Sequence, residues 1–218
     1  MAYSGVIFDF NGTLFWDTKL HNKAWNIFLQ KYNKHLTDKE LFEKIHGKNN
    51  ADIFRYLFGD ITEKEIQGYV LEKELLYQQL CLETNMQLAP GAIDFFNFLK
   101  SNGIPFTIAT ASGKENVDFY FEHLPLNKWF DPNKIVYNNG HIKGKPDPEI
   151  YHTAMGIISK KPEDIVVFED ANMGLLAAKN AKAGRIIIVN SNDDDYSSWD
   201  GLQIIKDFAE VDRKIFTD

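Results

Sequence analysis

The stretch "VIFDFNGTLF", Val6 to Phe15, decides the fold. Three apolar residues, Val6-Ile7-Phe8, run into an acid, Asp9. Asn11 stands two residues on, ahead of a Gly12-Thr13 turn. A short β-branched and aromatic run that ends in turn residues reads as a buried strand with polar chemistry at its carboxyl end. Phe106-Thr107-Ile108, Ile165-Val166-Val167-Phe168 and Ile186-Ile187-Ile188-Val189 have the same texture. Amphipathic stretches lie between them. Pro90-Gly91 opens one that carries Ile93, Phe96 and Leu99, and Asn102-Gly103 closes it. Asp147 as N-cap with Pro148 at the first helical position opens another, and Asn172 caps a third that ends near Ala183-Gly184. Strand alternating with helix predicts an α/β fold with a doubly wound parallel sheet.

Residues 17–87 break that alternation and read as helical throughout. Thr37-Asp38-Lys39-Glu40 and Thr62-Glu63-Lys64-Glu65 both fit the capping box. Leu71, Leu75 and Leu82 with Tyr77 predict the apolar face of one long helix. The expected organisation is a core of residues 1–16 and 88–218 with an inserted all-helical cap domain, 17–87. The run Asn192-Asp193-Asp194-Asp195 reads as a solvated loop.

Composition narrows the function classes. The chain has 218 residues, 44% of them hydrophobic and 14% aromatic, enough for a sizeable core. A formal net charge of -7 argues against a general nucleic-acid binder, yet leaves room for a small anionic substrate held by a few cations. The single cysteine, Cys81, excludes an intrachain disulfide and fits a reducing compartment. With no signal-like segment at the N-terminus and no apolar run long enough for a bilayer, the expectation is a cytoplasmic protein without membrane contact. A monomer is expected, with a homodimer as the alternative.

In open α/β sheets, ligands bind beyond the carboxyl ends of the strands. Those ends deliver Asp9 and Asn11, then Thr110 and Ser112, then Glu169 and Asp170. Lys145, in Gly144-Lys145-Pro146-Asp147-Pro148, stands just ahead of a helix start. Three carboxylates around one spot repel each other unless a cation joins them. Magnesium takes hard oxygen ligands and leaves positions for phosphate and water. A carboxylate can attack phosphorus, while hydroxyls and an ammonium hold the charged oxygens, so the set suits phosphoryl transfer. Each member also has a plain structural reading: strand-end acids as turn residues, Ser112 with Glu115 as a capping box, Lys145 as a surface lysine, His21 as helix packing. Those readings would have to hold at four separate element ends at once. The six histidines show no zinc-like spacing, and neither a dinucleotide fingerprint nor a Walker-type loop is present.

On these motifs the chain resembles the haloacid dehalogenase-like superfamily, near its β-phosphoglucomutase and sugar-phosphate phosphatase branch. "FDFNGTLF", "TIATAS", "GKPDPEIY" and "VVFEDANMGLLAAKNAKAG" resemble its four motifs in order. The resemblance implies Asp9 as nucleophile and metal ligand, and Thr110 on the transferring phosphoryl group. It implies Lys145 bridging that group to Asp9, Asp170 as a metal ligand, and Glu169 as a direct or water-mediated one. Asn11 would ligate through its main-chain carbonyl, and the metal would be magnesium. Ser112 and Lys48 are the expected substrate contacts, and His21 matches a cap histidine placed to carry a proton.

Two positions depart from that pattern. Asn11 replaces the usual acid–base aspartate, and an amide delivers no proton near neutral pH. Asn50 aligns with an arginine that grips a second phosphate in the mutase. The expected function is therefore a magnesium-dependent phosphatase of a small phosphorylated metabolite, slowed at residue 11, with Asn11→Asp raising turnover. The alternatives are a sugar phosphomutase and a non-catalytic phosphometabolite-binding protein.

Overall fold

The computed structural model describes residues 2–217. Six strands form one parallel sheet in the order β3-β2-β1-β4-β5-β6: β1 (Gly5–Phe8), β2 (Phe106–Gly113), β3 (Val136–Asn138), β4 (Ile165–Glu169), β5 (Arg185–Val189) and β6 (Gln203–Ile205). The four runs picked out in the sequence are β1, β2, β4 and β5. Their continuous hydrophobicity has a direct cause, because both faces of the sheet are covered. Val6, Phe8, Val166 and Phe168 pack with helices α5 (Ala92–Ser101) and α6 (Lys114–His123) on one face. Ile7, Ile165 and Val167 pack with α7 (Glu149–Ile157) and α8 (Asn172–Asn180) on the other.

From β1 the chain builds β2 and β3 on one side, then crosses to build β4, β5 and β6 on the other. The order therefore reverses beside β1, which makes the carboxyl ends of β1, β2 and β4 the expected crevice for a ligand.

Four helices are inserted between β1 and α5 as a helical cap: α1 (Thr18–Lys31), α2 (Asp38–Lys44), α3 (Asn50–Phe58) and α4 (Glu63–Leu82). They have a small core of their own, built from Trp25, Phe28, Leu41, Ile53, Phe54 and Ile66 among others. Both expected capping boxes form, at Thr37 and Thr62. The outgoing and returning segments touch, since Phe15 and Leu88 make an antiparallel bridge and the Ala89 amide donates to Leu14 at 2.8 Å.

Several sequence expectations need correction. Helix α4 exists, but Leu71, Leu75 and Leu82 are all more than half exposed. Its inward face carries Lys73, Glu74 and Tyr77 instead, because that face lines a polar seam with the core. Ile93 is likewise exposed, and Phe95 takes its place in the core. Asn172 is the first residue of α8 rather than its cap, and its side-chain Oδ1 accepts from the Trp199 indole at 2.7 Å. That helix ends at Asn180, ahead of the expected Ala183-Gly184. Helix α7 starts one residue later than read, although Asp147 does accept from the Glu149 amide at 3.0 Å. Ser112 caps nothing: it lies in β2, and the residue before α6 is Gly113. Strands β3 and β6, of three residues each, have too short a pattern to read.

Candidate active site

Asp9 follows β1 directly, Glu169 ends β4 and Asp170 follows it, and parallel pairing of these adjacent strands brings the three acids together. Each offers a carboxylate oxygen within 4.8 Å of the others, and all three are buried. Lys145 reaches in from the loop before α7, its Nζ lying 2.5 Å from Asp9 Oδ1 and 2.5 Å from Glu169 Oε1. Three carboxylates against one ammonium leave an excess of negative charge out of water. Burial, the Glu169 charge beside it and the more distant Asp17 push the Asp9 carboxyl up to about 8, against the pull of Lys145. Burial, then the charges of Asp9 and Glu169, push Asp170 well above the usual carboxylate range. This donor set fits a divalent cation, which would relieve that repulsion with hard oxygen ligands.

The three acids are not equivalent. Glu169 is fully engaged: Oε1 accepts from Lys145 and from the Tyr151 hydroxyl at 2.7 Å, and Oε2 accepts from the Asp170 and Ala171 amides. It therefore anchors Lys145 and the start of α8. Among the described residues Asp9 and Asp170 each keep an oxygen without a protein donor: only Oδ1 of Asp9 is held, by Lys145, and only Oδ1 of Asp170, by Thr13 at 3.0 Å. Two glycines make the close approach possible. A Cβ at Gly174 would lie 1.7 Å from Glu169 Oε1. One at Gly12, where φ is +79°, would lie 2.0 Å from Asp170 Oδ2.

Above the acids, a cleft of about 680 Å³, part of it open to solvent, separates core from cap. Asp9, Thr110, Ser112 and Asp170 line its floor; His21, Lys48, Asn50 and Lys73 line its cap side, with Trp25, Ile45 and Ile53 as an apolar wall. The structure thus brings Asp9, Asn11, Thr110, Ser112, Asp170, His21 and Lys48 to one cavity, with Lys145 and Glu169 directly beneath. Thr110 and Ser112 both donate to Asn11 Oδ1, at 3.3 and 2.8 Å. His46 also faces the cleft. Burial, with His21 nearby, pushes its ring down to about 4, so it stands there uncharged.

The sequence reading missed a buried polar seam between cap and core. Lys73 Nζ contacts both Glu74 oxygens, at 3.1 and 3.2 Å, and His21 Nδ1 at 3.0 Å. Glu74 also accepts from Asn50 and from Asn116 of α6, both at 2.8 Å. Burial pushes the Glu74 carboxyl up, but Lys73 and these partners hold it below its usual value. Asp17, at the cap boundary, is fully buried beside Asn11, Tyr77 and His21. No periodicity announces these residues, because a buried charge on a helix breaks the pattern that marks burial. Asp17 alone left a trace: a second acid six residues after Asn11.

A parallel sheet with acids and a lysine at its switch point, beneath an inserted helical cap, defines a capped α/β hydrolase. The chain belongs to the haloacid dehalogenase-like hydrolase family, which it matches over residues 3–182. Over 195 residues it is 30% identical to a phosphorylated carbohydrates phosphatase of Thermotoga maritima, covering 87% of each chain. Among solved structures it is similar to a family IA, variant 3 HAD hydrolase from Entamoeba histolytica, at TM-score 0.88 and 33% identity over 99% of this chain and 98% of that one. A putative β-phosphoglucomutase from Bacteroides vulgatus superposes at TM-score 0.80 with 25% identity, over 95% and 85% of the two chains.

Proposed function

We propose that the protein is a magnesium-dependent phosphatase of small phosphorylated metabolites, of the sugar-phosphate type, acting through an aspartyl-phosphate on Asp9. The observation that supports this most is the floor of the cleft. One acid with an open oxygen, Asp9, faces a second, Asp170, while Lys145 neutralises part of the charge and the Thr110 and Ser112 hydroxyls stand beside them. Asp9, Asp170 and the Asn11 main-chain carbonyl, with Glu169 behind, would hold a magnesium ion, which would supply charge neutralisation for the phosphoryl oxygens. The free Asp9 oxygen attacks phosphorus, and the bond to the leaving-group oxygen breaks. Thr110 and Ser112 turn their hydroxyls to the phosphoryl oxygens, and Lys145 stabilises the charge as it spreads. Water then attacks phosphorus, the bond from phosphorus to the Asp9 oxygen breaks, and inorganic phosphate leaves with the water's oxygen and its proton, which regenerates the Asp9 carboxylate. Asn11 transfers no proton in either step. The proton carrier we assign is His21, which lines the same cavity, and such proton transfer is worth about 10²–10⁴-fold.

The cap favours hydrolysis over the mutase reading. A mutase intermediate has two phosphates, and its far phosphate needs cations on the cap. Among the described residues no arginine lines the cleft, Lys73 is paired with Glu74, and the Asn50 amide is spent on Glu74. Lys48 is the one cap cation that lines the cleft and has no carboxylate partner among the described residues. The test is phosphate release from a panel of sugar phosphates, nucleotides and acyl phosphates, with and without magnesium, for the wild type and Asp9→Asn. Magnesium-dependent release that Asp9→Asn abolishes supports the reading. Net isomerisation activated by a bisphosphate would replace it with the mutase, and tight binding with no turnover would replace it with a binding protein.

A further inference from the structure

Asp17 occupies the N-cap position of α1 but makes no capping hydrogen bond with its side chain. An aspartate there normally satisfies a helix amide. This one gives its carboxylate to the active site instead. Oδ1 accepts from the Gly12 amide at 2.9 Å. Oδ2 accepts from Asn11 Nδ2 at 2.6 Å and from the Tyr77 hydroxyl, with His21 Nε2 at 3.3 Å. The second Asn11 amide hydrogen goes to the Tyr120 hydroxyl at 2.7 Å, and Tyr120 lies 3.1 Å from Tyr77.

These bonds close into a ring with only one consistent sense. Tyr77 spends its proton on Asp17, so Tyr120 donates to Tyr77, and Asn11 donates to both Tyr120 and Asp17. The ring needs two donors at position 11 and an acceptor at position 17. It also turns the Asn11 carbonyl toward Thr110 and Ser112, at the phosphoryl end of the cavity. Lys73 donates to His21 Nδ1, which leaves Nε2 as the protonated nitrogen facing Asp17.

We infer that Asn11 and Asp17 are a matched amide–carboxylate pair, and that Asp17 is a positioning residue that fixes the Asn11 amide and the His21 ring at the cavity. The role in turnover rests on the phosphatase reading; the pairing itself does not. Asparagine at position 11 is then a required partner rather than a defect. Asn11→Asp alone sets two carboxylate oxygens 2.6 Å apart out of water, so it lowers turnover and stability instead of raising them. Asp17→Asn alone removes the acceptor that chooses the amide's orientation. Exchanging the two residues restores the ring with its sense reversed. The amide at position 17 donates to Tyr77 and to the carboxylate at position 11, and its carbonyl still takes the Gly12 amide. His21 Nε2 lies 3.3 Å from both Asn11 Nδ2 and Asp17 Oδ2, so it finds the carboxylate in either arrangement.

The test is a four-protein cycle: wild type, Asn11→Asp, Asp17→Asn and the double exchange. Thermal midpoints are read without ligand, and kcat and KM are read on p-nitrophenyl phosphate with magnesium. Both single variants should melt lower than wild type, and the double exchange should recover most of the loss. Asp17→Asn should lower kcat on the order of tenfold to a hundredfold, as for a misplaced reacting group, with a smaller change in KM, and the exchange should raise kcat above both singles. Midpoint losses that simply add in the double exchange would overturn the pairing, even if the enzyme turns over normally. A wild type inactive on every phosphate ester would overturn the phosphatase reading, while the midpoints would still decide the pairing.

Discussion

Replacing Lys145 by methionine keeps the bulk of the side chain and removes its charge. Lys145 is buried, and its Nζ lies 2.5 Å from both Asp9 and Glu169. Without it, three buried carboxylates face one another with no cation among them. Removing one partner of a buried ion pair costs about 3–5 kcal/mol, because the other charge is left uncompensated. For a chain of this size each kcal/mol moves the midpoint by about 2–4 °C, so a loss of roughly 6–20 °C is expected at pH 8 without metal. At pH 5 the loss should be smaller, since the acids then escape ionisation by binding protons. Magnesium should restore part of the loss at pH 8 by supplying the missing positive charge. Turnover should fall about 10²–10³-fold even with magnesium, as when one charge-stabilising donor is lost. Calorimetry at both pH values, with and without magnesium, and phosphate release would check this. An unchanged midpoint at pH 8 together with near wild-type kcat would refute the view that Lys145 balances the acid cluster.

Three further outcomes can be checked, two of them at the same cluster. In metal-free protein Asp9 has a folded-state carboxyl raised by burial to about 8, from an ordinary 3.8, and Asp170 is raised as well. A raised acid stabilises the fold fully below its unfolded pKa, and that stability is lost as pH rises through the folded value. The midpoint in chelator should therefore fall between about pH 4 and pH 8, and magnesium should flatten the fall; a profile unaffected by magnesium would contradict this. Gly174→Ala should destabilise the protein by about 3 kcal/mol or more in urea denaturation, because its Cβ would meet the Glu169 carboxylate. Gly156→Ala in α7, with nothing within 4 Å, should be neutral or gain up to about 1 kcal/mol.

The sheet was readable in sequence because its strands are buried on both faces, so the runs at β1, β4 and β5 are continuous and end abruptly in polar residues. The floor of the cleft was readable for a related reason: the ends of parallel strands deliver Asp9, Thr110, Ser112, Glu169 and Asp170 to one edge whatever the loops do. The cap side was not. Leu71, Leu75 and Leu82 form a tidy apolar stripe, yet they face outward, while Lys73 and Glu74 turn inward to meet His21, Asn50 and Asn116. Burial of a satisfied ion pair depends on partners more than twenty residues away, which no local pattern records. Asp17 entered the sequence reading only as the boundary of the inserted cap, and only the hydrogen bonds around it show that its carboxylate belongs to Asn11.

The central claim is that Asp9 accepts the phosphoryl group. Its most direct test is to mix the enzyme with magnesium and acetyl phosphate, quench in acid within the first turnovers, and map the protein by mass spectrometry. The account predicts one added phosphoryl group on the peptide that contains Asp9, sensitive to hydroxylamine and absent from Asp9→Asn. Steady turnover with no phosphoryl group on that peptide at any quench time, or the same adduct in Asp9→Asn, would contradict it.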